Sequence, residues 1–443
     1  MSVNRIPVVD ALPHAWFGKL PQDWNIKPVR IALQERYAKN DLGVRDNYLS
    51  LISGVGIVPY AEKGDLGNKK PEDLSKCKCV EKGDFVINSM NFVIGGFGRS
   101  SFTGICSPVY IVAKPNERQF DPRFLMRVFQ VTEFQRHVGR LGNGILELRM
   151  AIGWDELKNQ PIPAPPLPEQ TRIANFLDEQ TARIDALIAE KERLDALLGE
   201  YRGSLISAAV TGQLDPTMGE APRRAHERGG GVNTQPSLWK RLKHVAVIKG
   251  GAGFPHEEQG LPDEELPLYK VNALDSATNF GTLARPEDTI SRVTAKRLGA
   301  HVFKPGTVVF AKVGAALLLN RFRQLSSEAC LDNNMMGLEP LEGHLLPRYL
   351  MYAMGTKDLS LIANPGAVPS VNGSQIAEES IFCPSVSDQT RIANFLDEQT
   401  ARIDALREHC KKHIILLREY RSSLISAAVT GQLDIDSFEK GVA

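Results

Sequence analysis

The feature that most constrains this fold is a stretch of eighteen residues that occurs twice. QTRIANFLDEQTARIDAL stands at Gln170–Leu187 and returns 219 residues later at Gln389–Leu406. Both copies also end in SLISAAVTGQLD, whereas their middles, IAEKERLDALLG and REHCKKHIILLR, differ. The chain therefore carries one duplicated element whose ends are constant and whose centre is not.

Each copy of the repeat is predicted to form a long helix. No proline lies between Thr171 and Asp215, and Ala, Leu, Glu, Arg and Gln are abundant. Apolar residues recur in alternating steps of four and three, which is typical of a coiled-coil seam. The predicted seam comprises Ile173, Leu177, Gln180, Ile184, Leu187, Leu194 and Leu198 in the first copy and Ile392, Leu396, Gln399, Ile403, Leu406 and Leu417 in the second.

Two helices with matching seams in one chain are expected to pack on each other. A large domain lies between them, so an antiparallel coiled coil is the natural closure. A seam alone would favour an ordinary core helix or a dimerisation stalk. The duplication favours the paired arrangement, because it ties each helix to a preceding domain.

The regions before the two helices are predicted to be mixed α/β domains, which makes the chain α+β with an internal pseudo-two-fold repeat. FVINSM and HVFKPGTVVFAKV indicate strands, and DPRFLMRVFQ and LPRYLMYAMG indicate helices. The predicted divisions are 1–166 and 237–385 for the two domains, 167–215 and 386–436 for the helices, and 216–236 for a linker.

Several classes of chemistry have no signature in this sequence. It contains no phosphate loop, no complete dinucleotide fingerprint, no nucleophile elbow and no H-E-x-x-H motif. Cys77 and Cys79 form one close pair, but no second Cys/His pair follows at zinc spacing, so no metal site is predicted. A net charge of +1 permits nucleic-acid binding without requiring it.

The composition indicates a cytoplasmic protein. Six cysteines in 443 residues are too few for a disulfide framework, so we expect a reducing compartment. No apolar run approaches the ~20 residues of a membrane helix. We therefore expect no membrane partner.

The repeat resembles the conserved spacer of the specificity subunit of type I restriction–modification enzymes. PIPAPPLPEQTRIANFLDEQTARIDAL and YRGSLISAAVTGQLD carry the resemblance, together with KGDFVINSMN, KPGTVVFAKVG and LDNNMM in the preceding domains. The resemblance implies a non-catalytic subunit with two target-recognition domains, each reading one half of a bipartite asymmetric double-stranded DNA site. The helices would act as a ruler and dock two methyltransferase subunits, and endonuclease/translocase subunits would join them. S-adenosylmethionine, ATP and Mg would bind those partners, with no cofactor on this chain.

Candidate DNA-contacting residues lie around glycine-flanked loops. Asn reads adenine, Arg reads guanine, and Lys and Arg bind phosphates. The candidates are Asn88, Asn91, Arg99 and Ser100 in the first domain and Lys312, Asn320, Arg321, Arg323, Asn333 and Asn334 in the second. In the plainer interpretation, these Asn residues only form turns and the Arg residues lie on a solvated surface.

Identical exposed residues on the two helices are candidates for docking two identical partners. They are Arg172, Asp178, Glu179 and Arg183 and their counterparts Arg391, Asp397, Glu398 and Arg402. Duplication without selection would leave the same pattern. The alternative function is a structural adaptor whose coiled coil holds two protein-binding domains. A free-standing methyltransferase or nuclease is disfavoured, because the sequence lacks an N-P-P-[YF] motif and a phosphate loop.

Overall fold

The computed structural model describes residues 8–9, 16–65, 69–142, 151–214, 238–260, 262–275 and 281–442. The chain forms two compact units. Unit 1 comprises Met1–Lys191 and Lys412–Ala443, and unit 2 comprises Glu192–Lys411. Each unit combines one mixed domain with segments of both long helices. The predicted linker, 216–236, lies outside the described residues.

The mixed domain of unit 1, called the first head, precedes Leu167 and is built on a four-stranded antiparallel sheet. Its strand order is Leu33–Glu35, Tyr110–Pro115, Phe85–Asn88 and Phe97–Arg99. Four further antiparallel pairs are Val8–Val9 with Leu20–Pro21, Asn25–Pro28 with Pro161–Ala164, Leu49–Ile52 with Gly56–Pro59, and Lys78–Val80 with Gly104–Cys106. The core of this head contains the rings of Phe85, Phe92, Phe97, Phe129 and Phe134, which meet in edge-to-face and tilted contacts.

The mixed domain of unit 2, called the second head, lies between Leu238 and Cys383 and repeats this plan. Its four-stranded antiparallel sheet runs Ala246–Gly250, Met335–Pro340, Val308–Ala311 and Arg323–Gln324. A second sheet joins Thr289–Ile290, Leu266–Tyr269 and Cys330–Leu331, and Trp239–Arg241 pairs with Ser380–Phe382. The strand order of the main sheet is thus the same in both heads.

Short helices complete the heads. The α-helices are Val29–Ala32, Pro122–Gln130, Thr132–Gly139 and Trp154–Leu157 in the first head, and Arg292–Arg297, Ala315–Leu318, Pro347–Gly355 and Gly373–Glu378 in the second. Short 3-10 helices lie at Tyr60–Glu62, Phe92–Ile94, Leu242–His244, His256–Glu258, Val271–Asp275 and Leu359–Leu361. Pro122 and Pro347 open matching helices, where a missing N–H costs no hydrogen bond.

The duplicated stretches form two helices of 44 residues each. The first long helix spans Leu167–Val210 and the second long helix spans Val386–Val429. A further helix, Ile435–Val442, follows the second one. The predicted mixture of helix and sheet, with two long helices, is confirmed. Within the described ranges, no helix combines the length and the apolar composition needed to cross a membrane.

The two long helices run antiparallel, as the ion pairs between them demonstrate. In unit 2, Asp195 lies 2.8 Å from Arg407, and Arg202, about two turns further on, lies 3.0 Å from Asp404, which is further back in its helix. In unit 1, the Arg421 Nε atom lies 2.9 Å from the Asp185 carboxylate.

The predicted seam is wrong at Leu187, Leu194 and Leu406. These side chains are 45%, 40% and 54% exposed, whereas Ile173, Leu177, Ile184, Ile392, Leu396 and Ile403 are buried and Gln180, Gln399, Leu198 and Leu417 are partly buried. After Ile184 the buried positions continue at Ile188 rather than Leu187. A four–three alternation can continue with either step, and packing selects the step of four here.

Candidate nucleic-acid interface and its supports

The candidate loop of the first head joins strands Phe85–Asn88 and Phe97–Arg99. The Asn88 side chain accepts a hydrogen bond from the Met90 N–H at 3.1 Å, so it shapes the turn. Asn91 starts the following 3-10 turn, to which its side chain makes no capping bond. A Cβ atom at Gly96 would lie 2.7 Å from the Asn91 carbonyl oxygen, so only glycine lets the loop close. The Asn88 side chain therefore shapes the loop, whereas the Asn91 side chain is partly buried and makes no capping bond.

Arg99 and Ser100 lie away from this loop, because Arg99 pairs with Phe85 at the opposite end of the two strands. The Arg99 side chain donates to the Gly83 carbonyl at 3.3 Å and lies 3.5 Å from Glu117. Ser100 is 3% exposed, and its hydroxyl group donates to the Phe102 carbonyl and accepts from the Phe102 N–H. The prediction of a DNA contact by Ser100 is therefore corrected: burial commits its hydroxyl group to a local turn.

The second head brings three of its candidates together. The Lys312 N–H donates to the Asn334 carbonyl at 2.8 Å, so Lys312 adjoins the exposed turn that carries Asn333 and Asn334. The Asp332 carboxylate accepts the Asn334 N–H at 3.0 Å, while burial raises the Asp332 pKa. An amine and two exposed amides on one turn can contact phosphates and base edges.

Asn320, Arg321 and Arg323 are placed elsewhere. Asn320 has a φ of 52° and is held by hydrogen bonds to the Lys357 carbonyl and from the Leu359 N–H, so it is a turn residue. Arg321 forms an ion pair with Asp275. Burial lowers the Arg323 pKa, and the nearby Arg321 and Arg202 charges lower it further.

Arg323 instead lines a cavity of about 920 Å³ beside the long helices. Its lining includes Arg202, Asn320, Met351, Tyr352 and Asp404, all in unit 2. The second head thus places Lys312, Asn333 and Asn334 at one turn and Asn320 and Arg323 at this cavity, while Arg321 binds Asp275.

An exposed apolar surface, which was not predicted from the sequence, lies beside the Asn91 loop. Met90 and Ile94 in the loop are 48% and 54% exposed, and Val55, in the turn of the adjacent hairpin, is 70% exposed. A Cβ atom at Gly95 would lie 3.9 Å from the Gly54 amide nitrogen, so the loop and the turn are neighbours. The glycine-flanked ISGVG run was the available signal.

Each head is attached to a long helix through the same buried glutamine of the repeat. In unit 1, the Gln170 side chain accepts from the Asp121 N–H at 2.9 Å and donates to the Gln119 and Pro165 carbonyls. In unit 2, Gln389 accepts from the Leu346 N–H at 2.8 Å and donates to two carbonyls, those of His344 and Pro384. Both glutamines are at most 1% exposed.

Asp178 and Asp397, predicted on the outer faces of the helices, bind the heads instead. Arg127 lies 2.8 Å from the Asp178 carboxylate and also donates to Thr181. Arg348 lies 2.8 Å from Asp397. The reason for the correction is that each aspartate directly follows a buried seam residue, Leu177 or Leu396, and faces the head helix.

Tyr352 occupies in the second head the place that Arg127 has in the first. Its hydroxyl group donates to Asp397 at 2.7 Å and lies 3.3 Å from the Thr400 hydroxyl oxygen. Burial raises the Tyr352 pKa to about 12. Different head residues thus satisfy the same pair of helix groups, Asp and Thr.

The remaining docking candidates are exposed on the helices. Glu179 pairs with Arg183, and Glu398 pairs with Arg402, each at 2.6 Å within one helix. Arg391 pairs with Asp388 at 2.7 Å, whereas Arg172 reaches Asp436 in the last helix at 2.6 Å. The two Glu–Arg pairs therefore give both helices one identical exposed feature.

Cys77 and Cys79 belong to the core of the first head. Both thiols are buried, with Tyr48 and Ile105 packed around them, and burial raises the Cys77 pKa. In the part of the chain that the structure describes, no group of three or more His, Cys, Asp or Glu side chains is arranged to hold a metal ion.

Known proteins match this chain along most of its length. Residues 45–195 match the family model described as the type I restriction modification DNA specificity domain. The specificity subunit of the type I restriction enzyme EcoKI of Escherichia coli (strain K12) is 21% identical over 450 residues, covering 94% of this chain and 90% of that protein.

Two solved structures share the fold. One is a chain of a type I R-M system described for its complex assembly and conformational transition; its TM-score is 0.70 at 16% identity, over 94% of this chain and 99% of that chain. The other, the HsdS subunit from Thermoanaerobacter tengcongensis, has a TM-score of 0.53 at 17% identity, over 94% and 98%. Together with the domain match, these relatives confirm the resemblance found in the sequence, which is to the DNA specificity subunits of type I restriction–modification systems.

Proposed function

We propose that this specificity subunit reads a bipartite, asymmetric double-stranded DNA site, one half with each head, and catalyses no reaction itself. The observation that carries the proposal is the repeated attachment of two different heads to the same helix residues. Gln170, Asp178 and Thr181 hold the first head, and Gln389, Asp397 and Thr400 hold the second. Equivalent attachment of unlike heads suits equivalent reading of unlike half-sites.

The Asn91 loop and the Lys312 turn are the proposed reading elements. Each lies at the ends of two adjacent strands in the four-stranded sheet common to both heads, and each carries polar side chains suited to bases or phosphates. Exposed Met90 and Ile94 add apolar contacts suited to thymine methyl groups.

The long helices are proposed to set the unread gap between the half-sites and to dock two methyltransferase subunits. A 44-residue helix is about 66 Å long at ~1.5 Å per residue, more than the ~34 Å of one DNA turn. The identical exposed pairs, Glu179–Arg183 and Glu398–Arg402, suit two identical partners. Endonuclease/translocase subunits would complete the complex in the cytoplasm, and S-adenosylmethionine, ATP and Mg would bind the partners.

A structural adaptor without DNA reading is not favoured. Its heads would bind proteins only, whereas residues 45–195 match a DNA specificity domain.

The test is a base-resolution adenine methylome of the host, with the gene intact, deleted, and restored as a variant. Deletion should remove one split motif. Restoring the chain with Met90, Asn91 and Ile94 all changed to Ala should alter or weaken one half of that motif and leave the other half. The matched control is Leu42→Ala, an 89% exposed apolar residue of the same head outside the Asn91 loop.

Two results would contradict the proposal. One is an unchanged methylome after deletion in cells whose methyltransferase is expressed and active. The other is a loop variant that changes both halves of the motif, because two heads that read independently cannot produce it.

A further inference from the structure

The two long helices differ mainly in the centre of the repeat. Some of the differing positions lie in the seam where the helices contact each other. The repeat offset places Arg407 where the first helix has Ile188, and Ile414 where it has Asp195. All four side chains are buried or partly buried. The divergence therefore changes the chemistry of the contact between the helices.

These four residues form two kinds of contact, one in each unit. In unit 1, Ile188 and Ile414 lie in one apolar cluster and are 9% and 8% exposed. In unit 2, the Arg407 guanidinium group binds the Asp195 carboxylate with N–O distances of 2.8 and 3.4 Å. The repeat offset maps Asp195 and Arg407 onto Ile414 and Ile188, so two aliphatic side chains of one cluster in unit 1 take the places of the ion pair in unit 2.

The flanking ion pairs do not distinguish the two helices. Arg202 binds Asp404 in unit 2, and Arg421 binds Asp185 in unit 1. Each helix carries both the Arg and the Asp of this contact, so two identical helices could form it equally well.

The central positions of the repeat, unlike the flanking ion pairs, do distinguish the two helices. This becomes clear when a helix is paired with a copy of itself in the same register. Two copies of the first helix would set Asp195 against Ile188, and two copies of the second would set Arg407 against Ile414. Each arrangement leaves a partly buried charge beside an aliphatic side chain instead of its counter-ion. Charged seam residues of this kind select partners in coiled coils.

We propose that the divergent centre of the repeat makes each long helix complementary to the other and poorly complementary to a copy of itself, so that its partner is the other half of this chain. The centre thereby ensures that the two unlike heads, rather than two like ones, are combined.

The intact chain can be made to test both mismatched pairings. Arg407→Ile with Ile414→Asp gives both helices first-type seams, and Ile188→Arg with Asp195→Ile gives both helices second-type seams. The variant with all four substitutions exchanges the seams between the helices. It restores one opposite-charge pair and one aliphatic pair with their places exchanged.

The measurement is hydrogen exchange of the full-length chain over residues 184–199 and 403–418, which reports local opening without assuming two-state unfolding. In each double variant the backbone amides of these residues should exchange about tenfold faster. This corresponds to a decrease of about 1.4 kcal/mol in the free energy of local opening. The fourfold variant should return to within about threefold of the native rate, because coupled contacts are not additive. Strands Phe85–Asn88 and Val308–Ala311 report whether each head is still folded.

Native exchange rates in both double variants would overturn the proposal, and so would a fourfold variant that exchanges as fast as the two double variants combined. If a double variant fails to fold and the fourfold variant folds, complementarity is supported. If the fourfold variant also fails to fold, the pairing does not depend on these contacts as proposed, and the proposal is wrong.

Discussion

Gln389 accepts a hydrogen bond from the backbone N–H of Leu346 at 2.8 Å, inside the joint between the second head and its helix. The same glutamine donates to the carbonyls of His344 and Pro384. Gln170 has this arrangement in the first head, where it accepts from Asp121. One residue type at one repeat position therefore holds the backbone of each head.

Replacing this glutamine should destabilise the unit that contains it. Gln389→Leu would leave one backbone N–H and two carbonyls in a buried joint without their partner, at about 1–3 kcal/mol for each unsatisfied group. We expect a lower urea midpoint of unfolding for the full chain. Gln213→Leu, at an exposed position of the same repeat, is the control and should change the midpoint little.

The glycines that follow the long helices should not tolerate a side chain. Gly212 has a φ of 77°, and a Cβ atom there would lie 2.9 Å from the Phe382 ring; Gly431 has a φ of 68° and would meet Pro21 at 2.4 Å. Alanine at either position should cost more than about 1 kcal/mol. Gly203→Ala, with open space around it in mid-helix, should be neutral or stabilise by up to ~1 kcal/mol. Equal urea midpoints for all three variants would contradict this account.

The corrected seam predicts very different costs of the same substitution at positions three residues apart. Ile184→Asp or Ile403→Asp would bury a charge at a site only 5% exposed and should cost about 3 kcal/mol or more. Leu187→Asp and Leu406→Asp, at exposed positions, should cost about 0.5 kcal/mol or less. The free energy of unfolding, measured on the chain without partners, distinguishes the variants at buried positions from those at exposed positions. Loss of methyltransferase binding by a stable Leu187 variant would place that residue in the docking surface.

The stability of unit 2 should fall as the pH rises from about 10 to about 12. The folded Tyr352 pKa is raised to about 12, whereas an unfolded tyrosine has a pKa of about 10. Between these values the unfolded state has lost a proton that the folded state retains, so unfolding is favoured. Tyr352→Phe should reduce the slope of stability against pH in this window. An unchanged slope would mean that the hydroxyl group ionises freely in the folded unit.

Lys312 should contribute a phosphate contact when the chain binds DNA together with the methyltransferase proposed as its partner. Lys312→Ala should weaken binding and reduce the dependence of log K on log salt by about 1. Lys304→Ala is the control, because Lys304 is exposed near the other end of strand Val308–Ala311. Equal effects of the two variants would indicate a general charge effect rather than a contact at this turn.

The sequence predicted the long helices and the mixed heads, because a duplicated proline-free stretch with a four–three seam has few other solutions. It did not predict the phase of the seam beyond Ile184. Leu187 and Ile188 are both apolar, so the pattern offered two continuations, and packing decided between them. The exposed Leu187 side chain shows that periodicity predicts the existence of an interface more reliably than it predicts which residues are buried in it.

The candidate site was predicted less well, for a physical reason. Asn88 and Asn320 have residue types that read bases and that also form turns, and both form turns here. Asp178 was predicted to be exposed because a heptad pattern describes only the contact between the two helices. It does not reveal that the first head covers another face of the helix. Lys312 and Asn334 are neighbours through a strand pairing that local sequence cannot reveal.

The shared Gln, Asp and Thr of the two helices have a consequence for how such a protein can change. A head that evolved on one helix finds the same three side chains on the other, and Arg127 and Tyr352 show that unlike groups can meet them. The amino-acid sequences around these three residues also match, so a head moved from one helix to the other would keep its attachment. The helices are thus built as a fixed mount on which one head can be replaced by another.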